Sequence, residues 1–255
     1  MSDSPLERAR ALPRWSRVTA GNAALVALAL VVLASLWPDG PTAGFLVAVG
    51  VVLGLESLLV VGLLEGWGRA DARREQPVTL ATWVTLARGG AVAVLAGFAA
   101  TGLPSGTGAW VPAALFAVAA ALDAFDGVLA RATDSVTDLG SRLDVEIDGL
   151  VVLVGTLVAV VDGALPVVFL AVAGARYLFV AGRLWRRRRN RPVYELPPNP
   201  LRRPLGALAM VAVWLALLPI LSDGVSRAFA TLVLVPFLAN FGWDWLAVTG
   251  RVGVE

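Results

Sequence analysis

Long apolar runs constrain the fold of this 255-residue chain more than any other feature of its sequence. Residues 20–37 and 43–64 form the first two runs, and each could cross roughly 30 Å of hydrocarbon at the rise of an α-helix. Hydrophobic residues make up 58% of the chain, which is too apolar for an ordinary soluble domain. The sequence therefore predicts an all-α, polytopic membrane helix bundle.

A charged connector at residues 65–78 separates these two runs from six more. It predicts a boundary between residues 1–78, a cytoplasmic tail with an accessory two-helix hairpin, and residues 79–255, a six-helix core. We place the core spans at residues 80–101, 110–131, 142–161, 166–185, 205–221 and 228–247. Short connectors rich in Gly, Pro and Ser link several of them, as antiparallel neighbours require. We expect about eight transmembrane helices.

Every basic residue is an arginine, and the arginines fall mainly on one side of an eight-helix alternation. They occupy the N-terminal tail, which we expect to be uncleaved, the 65–78 connector, the 132–141 link and the 184–204 loop, while only Arg227 falls on the other side. Short loops with an excess of arginine stay in the cytoplasm, so both termini are predicted to be cytoplasmic. Arginines beside membrane helices also account for the basic composition, and we predict no nucleic-acid binding.

Residues 123–148 contain six aspartates, and four of them, Asp123, Asp126, Asp144 and Asp148, form two pairs beside apolar runs, where a charge is costly and more often functional than incidental. Asp123 and Asp126 are three apart, and Asp144 and Asp148 are four apart, so each pair projects from one face of its own helix. Two such faces can meet on the cytoplasmic side. Because the chain has neither histidine nor cysteine, carboxylates alone select a hard cation such as Mg²⁺ or Mn²⁺.

The same stretch fits a longer pattern, D-x2-D-G-x2-A-R-x8-G-x3-D-x3-D. Its specified positions are Asp123, Asp126, Gly127, Ala130, Arg131, Gly140, Asp144 and Asp148. The signal is specific because several unrelated residue types coincide at fixed offsets. The pattern resembles the signature of the CDP-alcohol phosphatidyltransferase family, and the resemblance covers residues 79 to about 247.

The resemblance implies a metal-dependent transferase that moves a phosphatidyl-type group from a CDP-activated lipid to a small polar alcohol and releases CMP. By position in the pattern, Asp123, Asp126 and Asp144 match metal ligands. Asp148 matches the proposed general base and is a further candidate ligand. The implied contacts to the CDP moiety are Gly127, Ala130 and Arg131, although small residues also serve helix packing alone. Members are commonly homodimers, so a homodimer is a further implication.

Residues 82–88 resemble the first core helix of the family, where an Asn-x-x-Thr-x-x-Arg pattern often stands. Here Thr82 replaces the Asn, while Thr85 and Arg88 lie one turn apart on a common face. Thr85 is therefore a candidate contact for the CDP moiety. The alternatives are a helix cap for Thr85 and an Arg88 that snorkels to the membrane surface.

Two arginines outside the signature predict a phosphorylated acceptor. Arg176 and Arg183 are seven apart on one helix face, with Arg176 about two turns inside the membrane boundary. A buried arginine needs an anionic partner, and Arg202 and Arg203 enter the next helix at the same level. Together they would suit a phosphomonoester such as an inositol or glycerol phosphate. The alternative is contact with anionic headgroups.

Other functions remain open from the sequence alone. A soluble CDP-alcohol could be the donor and a membrane lipid alcohol the acceptor. In a different class, the aspartates would bind a cation moved by a transporter. Glu56, inside the second span, is either a proton or ion residue or a protonated carboxyl bonded to a neighbouring helix.

Overall fold

The computed structural model describes residues 14–37, 40–65, 78–132 and 137–252, with side chains given except at residues 124–132. This described part contains eight α-helices and no strand. The helices are α1 (Arg14–Leu36), α2 (Ala43–Leu64), α3 (Leu80–Thr101), α4 (Val111–Ala132), α5 (Asp138–Val161), α6 (Leu170–Arg188), α7 (Arg202–Ala216) and α8 (Asp223–Val248). Each predicted span coincides with one of them, which confirms the all-α prediction.

Six segments of the described chain are long and apolar enough to cross a membrane. They are Arg14–Leu36, Ala43–Leu64, Leu80–Thr101, Gly106–Asp123, Val167–Arg188 and Asp223–Val248. The other two helices differ for local reasons, since α5 carries charged residues in its first half and α7 has only 15 residues. Apolar side chains such as Leu28, Val47 and Leu232 point outward, at 61%, 66% and 73% exposure, as a lipid environment favours.

Several helix ends lie a turn or more from their predicted positions. The fifth helix begins at Asp138 rather than at residue 142, because Thr137 Oγ1 accepts a hydrogen bond of 3.0 Å from the backbone N–H of Gly140 and caps the helix. Helix α7 ends at Ala216 rather than at residue 221. Pro219 restricts the residue before it to extended backbone, which explains the earlier end.

The chain divides into two compact units. One comprises Met1–Gly97 and Val118–Asp148, and the other comprises Phe98–Ala117 and Gly149–Glu255. The first unit holds the accessory hairpin together with the N-terminal part of the core. The division at residue 78 that the composition predicts stays a prediction.

Within the first unit, the accessory hairpin packs on α3 through glycines. A Cβ at Gly21 would come within 2.5 Å of the Trp83 ring, and one at Gly97 would overlap the ring of Phe45. The Phe45 side chain is fully buried at 0% exposure. Glycine lets membrane helices approach this closely, so the hairpin is fitted to α3 by shape.

Within the second unit, aromatic rings lie on glycines in the same way. A Cβ at Gly155 would come within 2.5 Å of Phe116, and one at Gly182 within 2.5 Å of Trp245. The second contact joins α6 to α8, where Trp245 also meets Phe179 edge to face at 5.9 Å between centroids. These contacts fix the register of α6, the helix that carries Arg176 and Arg183.

Candidate active site

A reciprocal cap sets the start of α3. The backbone N–H of Thr82 donates to Thr79 Oγ1, and the N–H of Thr79 donates to Thr82 Oγ1, both at 3.3 Å. This is the arrangement of a capping box, with threonine in the position where Glu or Gln is usual. Thr82, which replaces the expected Asn, therefore serves the helix start. Thr85 is buried at 2% exposure and its hydroxyl donates to Ala81 O at 3.1 Å, so its contact with CDP stays a prediction.

Two turns into α3, Arg88 is buried at 1% exposure. Its Nε donates to the carbonyl oxygen of Ala119 at 3.0 Å. Its Nη1 contacts Asp123 Oδ1 at 3.1 Å and Asp144 Oδ1 at 2.5 Å, and its Nη2 pairs with Asp148 Oδ1. A guanidinium held by so many acceptors does not snorkel to the surface. A buried charge is stable only when it is paired in this way.

The three carboxylates form a compact oxygen cluster. One ligand atom from each of Asp123, Asp144 and Asp148 lies within 4.8 Å of the others. Their side chains are 41%, 32% and 48% exposed, so ions and substrates can reach them. The donor set fits a hard divalent ion, since it consists only of carboxylate oxygens that remain accessible on the side away from Arg88. Asp123 on α4 thus meets Asp144 and Asp148 on α5, as the aspartate spacing allows.

Four signature positions fall on side chains outside the described part of the chain. The backbone of α4 is described to Ala132, but nothing is described of the side chains of Asp126, Gly127, Ala130 and Arg131. Their implied roles stay predictions. Gly140 is described, and a Cβ there would lie 3.1 Å from Thr137 Oγ1 and 3.8 Å from Thr82 Oγ1. A glycine at this signature position thus leaves room for the Thr137 side chain that caps α5, whereas the distance to Thr82 on α3 is an ordinary contact.

The two arginines predicted to bind an acceptor phosphate lie in the second unit on α6. Both Arg176 and Arg183 are half-buried. A Cβ at Gly149 would lie 2.8 Å from the Tyr177 hydroxyl oxygen, so glycine there gives the Tyr177 side chain room, and it would lie 3.5 Å from Arg176 Cδ, an ordinary contact. Their binding to an acceptor stays a prediction.

Arg202 is engaged differently from the expectation. Its Nε donates to Asp244 Oδ2 at 2.8 Å and its Nη2 to Asp244 Oδ1 at 3.0 Å, a bidentate pair. Asn199 also donates to Asp244 Oδ1, at 3.2 Å. Because its guanidinium already has this partner, we leave Arg202 out of the acceptor pocket.

Sequence reasoning missed how Arg88 is used. The signature names the aspartates, but nothing in their spacing shows that an arginine from α3 pairs with three of them at once. The available signal was a charged residue within an apolar span, one turn beyond Thr85. The pairing of Arg202 with Asp244 gave no such signal, because 42 residues separate them.

Together, the fold and this cluster define an all-helical integral membrane protein in which a buried arginine gathers carboxylates from two other helices. The sequence model of the CDP-alcohol phosphatidyltransferase family matches residues 78–248, more than half of the chain. This chain belongs to the CDP-alcohol phosphatidyltransferase family. The family transfers a phosphate-alcohol group from a CDP-alcohol to an alcohol within a membrane, and its members use a divalent metal. Among proteins of curated function and among solved structures, none matches the chain.

Proposed function

We propose that this protein transfers a phosphatidyl-type group from a CDP-activated lipid to a small polar alcohol and releases CMP. The observation that supports this most is the accessible cluster of Asp123, Asp144 and Asp148 around the buried Arg88. These three carboxylates are signature positions of the family, and in this chain they come together on one open surface of the first unit.

The reaction forms one bond to phosphorus and breaks another. The acceptor hydroxyl attacks the phosphorus that carries the lipid alcohol, and the bond from that phosphorus to the bridging oxygen of the diphosphate breaks. The oxygen leaves with the electron pair as part of CMP. Asp148, with its side chain 48% exposed, takes the hydroxyl proton.

The remaining carboxylates provide the cation site. Asp123, Asp126 and Asp144, with Asp148 at the edge, would hold Mg²⁺ or Mn²⁺. A bound divalent ion supplies positive charge opposite the phosphate oxygens, where negative charge builds in the transition state. Arg88 is a positioning residue, because it holds three of these carboxylates in one orientation before any ligand arrives.

The substrate-binding residues of the proposal lie before, between and after the cluster aspartates in the sequence. The CDP moiety would lie along α4 at Gly127, Ala130 and Arg131, with Thr85 as a further contact. Arg176 and Arg183 would bind the phosphate of an inositol or glycerol phosphate acceptor. Because short arginine-rich loops favour the cytoplasm, the proposed site and both termini would lie on the cytoplasmic side. A homodimer is the proposed assembly.

The deciding experiment is release of CMP by the purified protein in lipid nanodiscs. A CDP-diacylglycerol donor is offered with a panel of polar alcohols, phosphorylated and not, in Mg²⁺, in Mn²⁺ and in excess EDTA. We expect metal-dependent CMP formation that requires one of the alcohols, with the lipid product detected in the same sample. Glu195→Gln, which neutralises an exposed carboxylate in the 184–204 loop, is the control and should match the parent.

Two results would contradict the proposal. If CMP forms only when a soluble CDP-alcohol meets a lipid alcohol, donor and acceptor are reversed. If no CDP-alcohol is cleaved in any metal while the protein is folded and monodisperse, the transferase assignment fails for this chain.

A further inference from the structure

Two buried polar residues of the accessory hairpin meet beside Arg88. Asn22 on α1 is 2% exposed and Glu56 on α2 is 1% exposed. The Asn22 Nδ2 donates to Glu56 Oε2 at 3.1 Å. The Glu56 carboxyl lies on Gly89 of α3, where a Cβ would come within 2.8 Å of Oε1 and 2.9 Å of Cδ. The hairpin therefore touches α3 at the residue next to Arg88.

Two oxygens of this pair lack a donor. Among the residues that the structure describes, neither Asn22 Oδ1 nor Glu56 Oε1 has a hydrogen-bond partner, and both atoms are buried. Leaving two buried acceptors unpaired costs free energy. A single proton on Glu56, donated to Asn22 Oδ1, would satisfy both atoms, because the amide already donates to the other carboxyl oxygen. The acid and the amide would then form a closed pair with two hydrogen bonds.

We propose that Glu56 is a neutral positioning residue, which pairs with Asn22 and holds α3 so that Arg88 meets the three aspartates. This inference deepens the proposed function and rests on it. Gly89 and Arg88 are consecutive, so any displacement of the backbone at Gly89 moves the Cα of Arg88 as well. The Arg88 contacts with Asp123 and Asp144, at 3.1 and 2.5 Å, leave little tolerance for such a shift.

The environment of the pair supports a structural tie rather than an ion path. Gly90 follows Gly89 toward the same hairpin, where a Cβ would lie 3.1 Å from Val26 Cγ2 and 3.4 Å from Asn22 Oδ1. No arginine in the described chain forms an ion pair with Glu56 within 4.0 Å. A carboxyl in such surroundings is stable when it shares a proton with an amide.

The first test compares Glu56→Gln with Glu56→Ala in nanodiscs. A glutamine amide can donate to Asn22 Oδ1 and its oxygen can accept from Asn22 Nδ2, so it reproduces both bonds without a titratable proton. We expect Glu56→Gln to keep kcat for CMP release within about twofold of the parent, and Glu56→Ala to lower it by at least about tenfold with KM for the CDP-lipid little changed. A glutamine variant as impaired as the alanine variant would overturn the inference and indicate that Glu56 acts by ionising.

The second test moves the backbone instead of the carboxyl. Gly89→Ala should lower kcat as Glu56→Ala does, because its methyl group occupies the space of the Glu56 carboxyl. In the double variant Glu56→Ala with Gly89→Ala, the two losses of kcat should not add, because the carboxyl group that the new methyl group would meet is absent. Gly54→Ala is the matched control on α2, where a Cβ meets no atom within 4 Å, and should equal the parent.

A third substitution separates positioning from general stability. Gly97→Ala pushes on Phe45, two turns beyond Gly89, and should lower the thermal midpoint while leaving kcat per folded molecule near that of the parent. If Gly89→Ala and Gly97→Ala lower the midpoint alike and neither lowers kcat, the pair is a packing contact and the inference is wrong. If the parent itself releases no CMP, the proposed function fails instead, while equal thermal midpoints for Glu56→Gln and the parent still support the neutral pair.

Discussion

Arg88 and Asp144 lie 56 residues apart in the chain, yet Arg88 Nη1 contacts Asp144 Oδ1 at 2.5 Å. The arginine side chain is 1% exposed, while that of the aspartate is 32% exposed. The cluster therefore has a buried cationic side and an open anionic side. In the proposed function, a cation or a substrate would approach from the open side, where Arg88 already orients the carboxylates.

Replacing Arg88 by alanine should destabilise the protein strongly. Three carboxylates within 4.8 Å of one another would lose their buried counter-charge, and a loss of about 3 kcal/mol is expected. Mg²⁺ should then raise the thermal midpoint more in Arg88→Ala than in the parent, because the ion replaces the missing positive charge. Thermal denaturation with and without Mg²⁺ measures both effects. Arg188→Ala, an exposed arginine at the end of α6, is the control, and equal Mg²⁺ shifts in all three proteins would contradict this account.

Asp148→Asn should abolish turnover while leaving the fold intact. The amide oxygen can still meet Arg88, but the side chain can no longer take a proton from the acceptor hydroxyl. We expect CMP release to fall by at least about a hundredfold, with metal-dependent binding of the CDP-lipid retained. Asp123→Asn should instead weaken Mn²⁺ binding itself, which electron paramagnetic resonance can follow. An Asp148→Asn protein with parental turnover would remove Asp148 from the role of base.

The residues behind these two predictions were not equally predictable from the sequence. The spacing of Asp144 and Asp148 places both on one helical face, so periodicity predicts that they act together and allows them to meet Asp123. The pairing of Arg88 with these aspartates could not be predicted, because it depends on how α3 packs in the folded protein. Glu56 stands out in the sequence as a carboxyl group inside an apolar run. Its partner Asn22 could not be predicted, because the two residues are 34 positions apart and helical periodicity relates only residues of the same helix.

The helices themselves were predictable for a physical reason. Apolar runs of some 20 residues have few alternatives to a membrane helix, and α3 begins and ends within a residue of its predicted span. Helix ends that depend on a capping side chain were harder to predict. Asp138 begins α5 only because Thr137 caps it, and the cap is a matter of local geometry rather than of hydropathy.

The acceptor should carry a phosphate that Arg176 binds. In competition between matched alcohols with and without a phosphate, we expect the parent to prefer the phosphorylated one. Arg176→Ala should raise its apparent KM by roughly tenfold, since a charge-assisted bidentate contact is lost. Arg188→Ala, on another face of α6, should leave this KM unchanged. Preference for the unphosphorylated alcohol would show that the pocket is wrongly assigned.

Asp244 should contribute to stability rather than to turnover. Its carboxylate accepts a bidentate pair from Arg202 and a further bond from Asn199, with only 10% of its side chain exposed. We expect Asp244→Asn to lower the free energy of unfolding by about 2 kcal/mol. Asp223→Asn, an exposed carboxylate at the start of the same helix, is the control. If both substitutions lower the thermal midpoint equally, the ion pair between Arg202 and Asp244 makes no special contribution to stability.

The predicted orientation can be tested without removing any native thiol, because the chain has no cysteine. Single substitutions Glu195→Cys and Thr107→Cys place one exposed thiol in the 184–204 loop and one in the connector between α3 and α4. The eight-helix alternation puts these two connectors on opposite sides of the membrane. In intact cells, a membrane-impermeant maleimide should label Thr107→Cys and spare Glu195→Cys until the membrane is opened. The reverse pattern would place the arginine-rich loop outside the cell.

The hydrogen bond between Asn22 and Glu56 also bears on the order in which the chain is assembled. Both residues are made before any part of α3 leaves the ribosome, and they lie on consecutive helices. N-terminal segments generally form first during synthesis, so α1 and α2 can join within the membrane before α3 enters it. The later helix then arrives at a finished surface, on which Gly89 and Gly97 fit only one alignment. On this view the accessory hairpin is a template for biogenesis, present before the segment that it aligns.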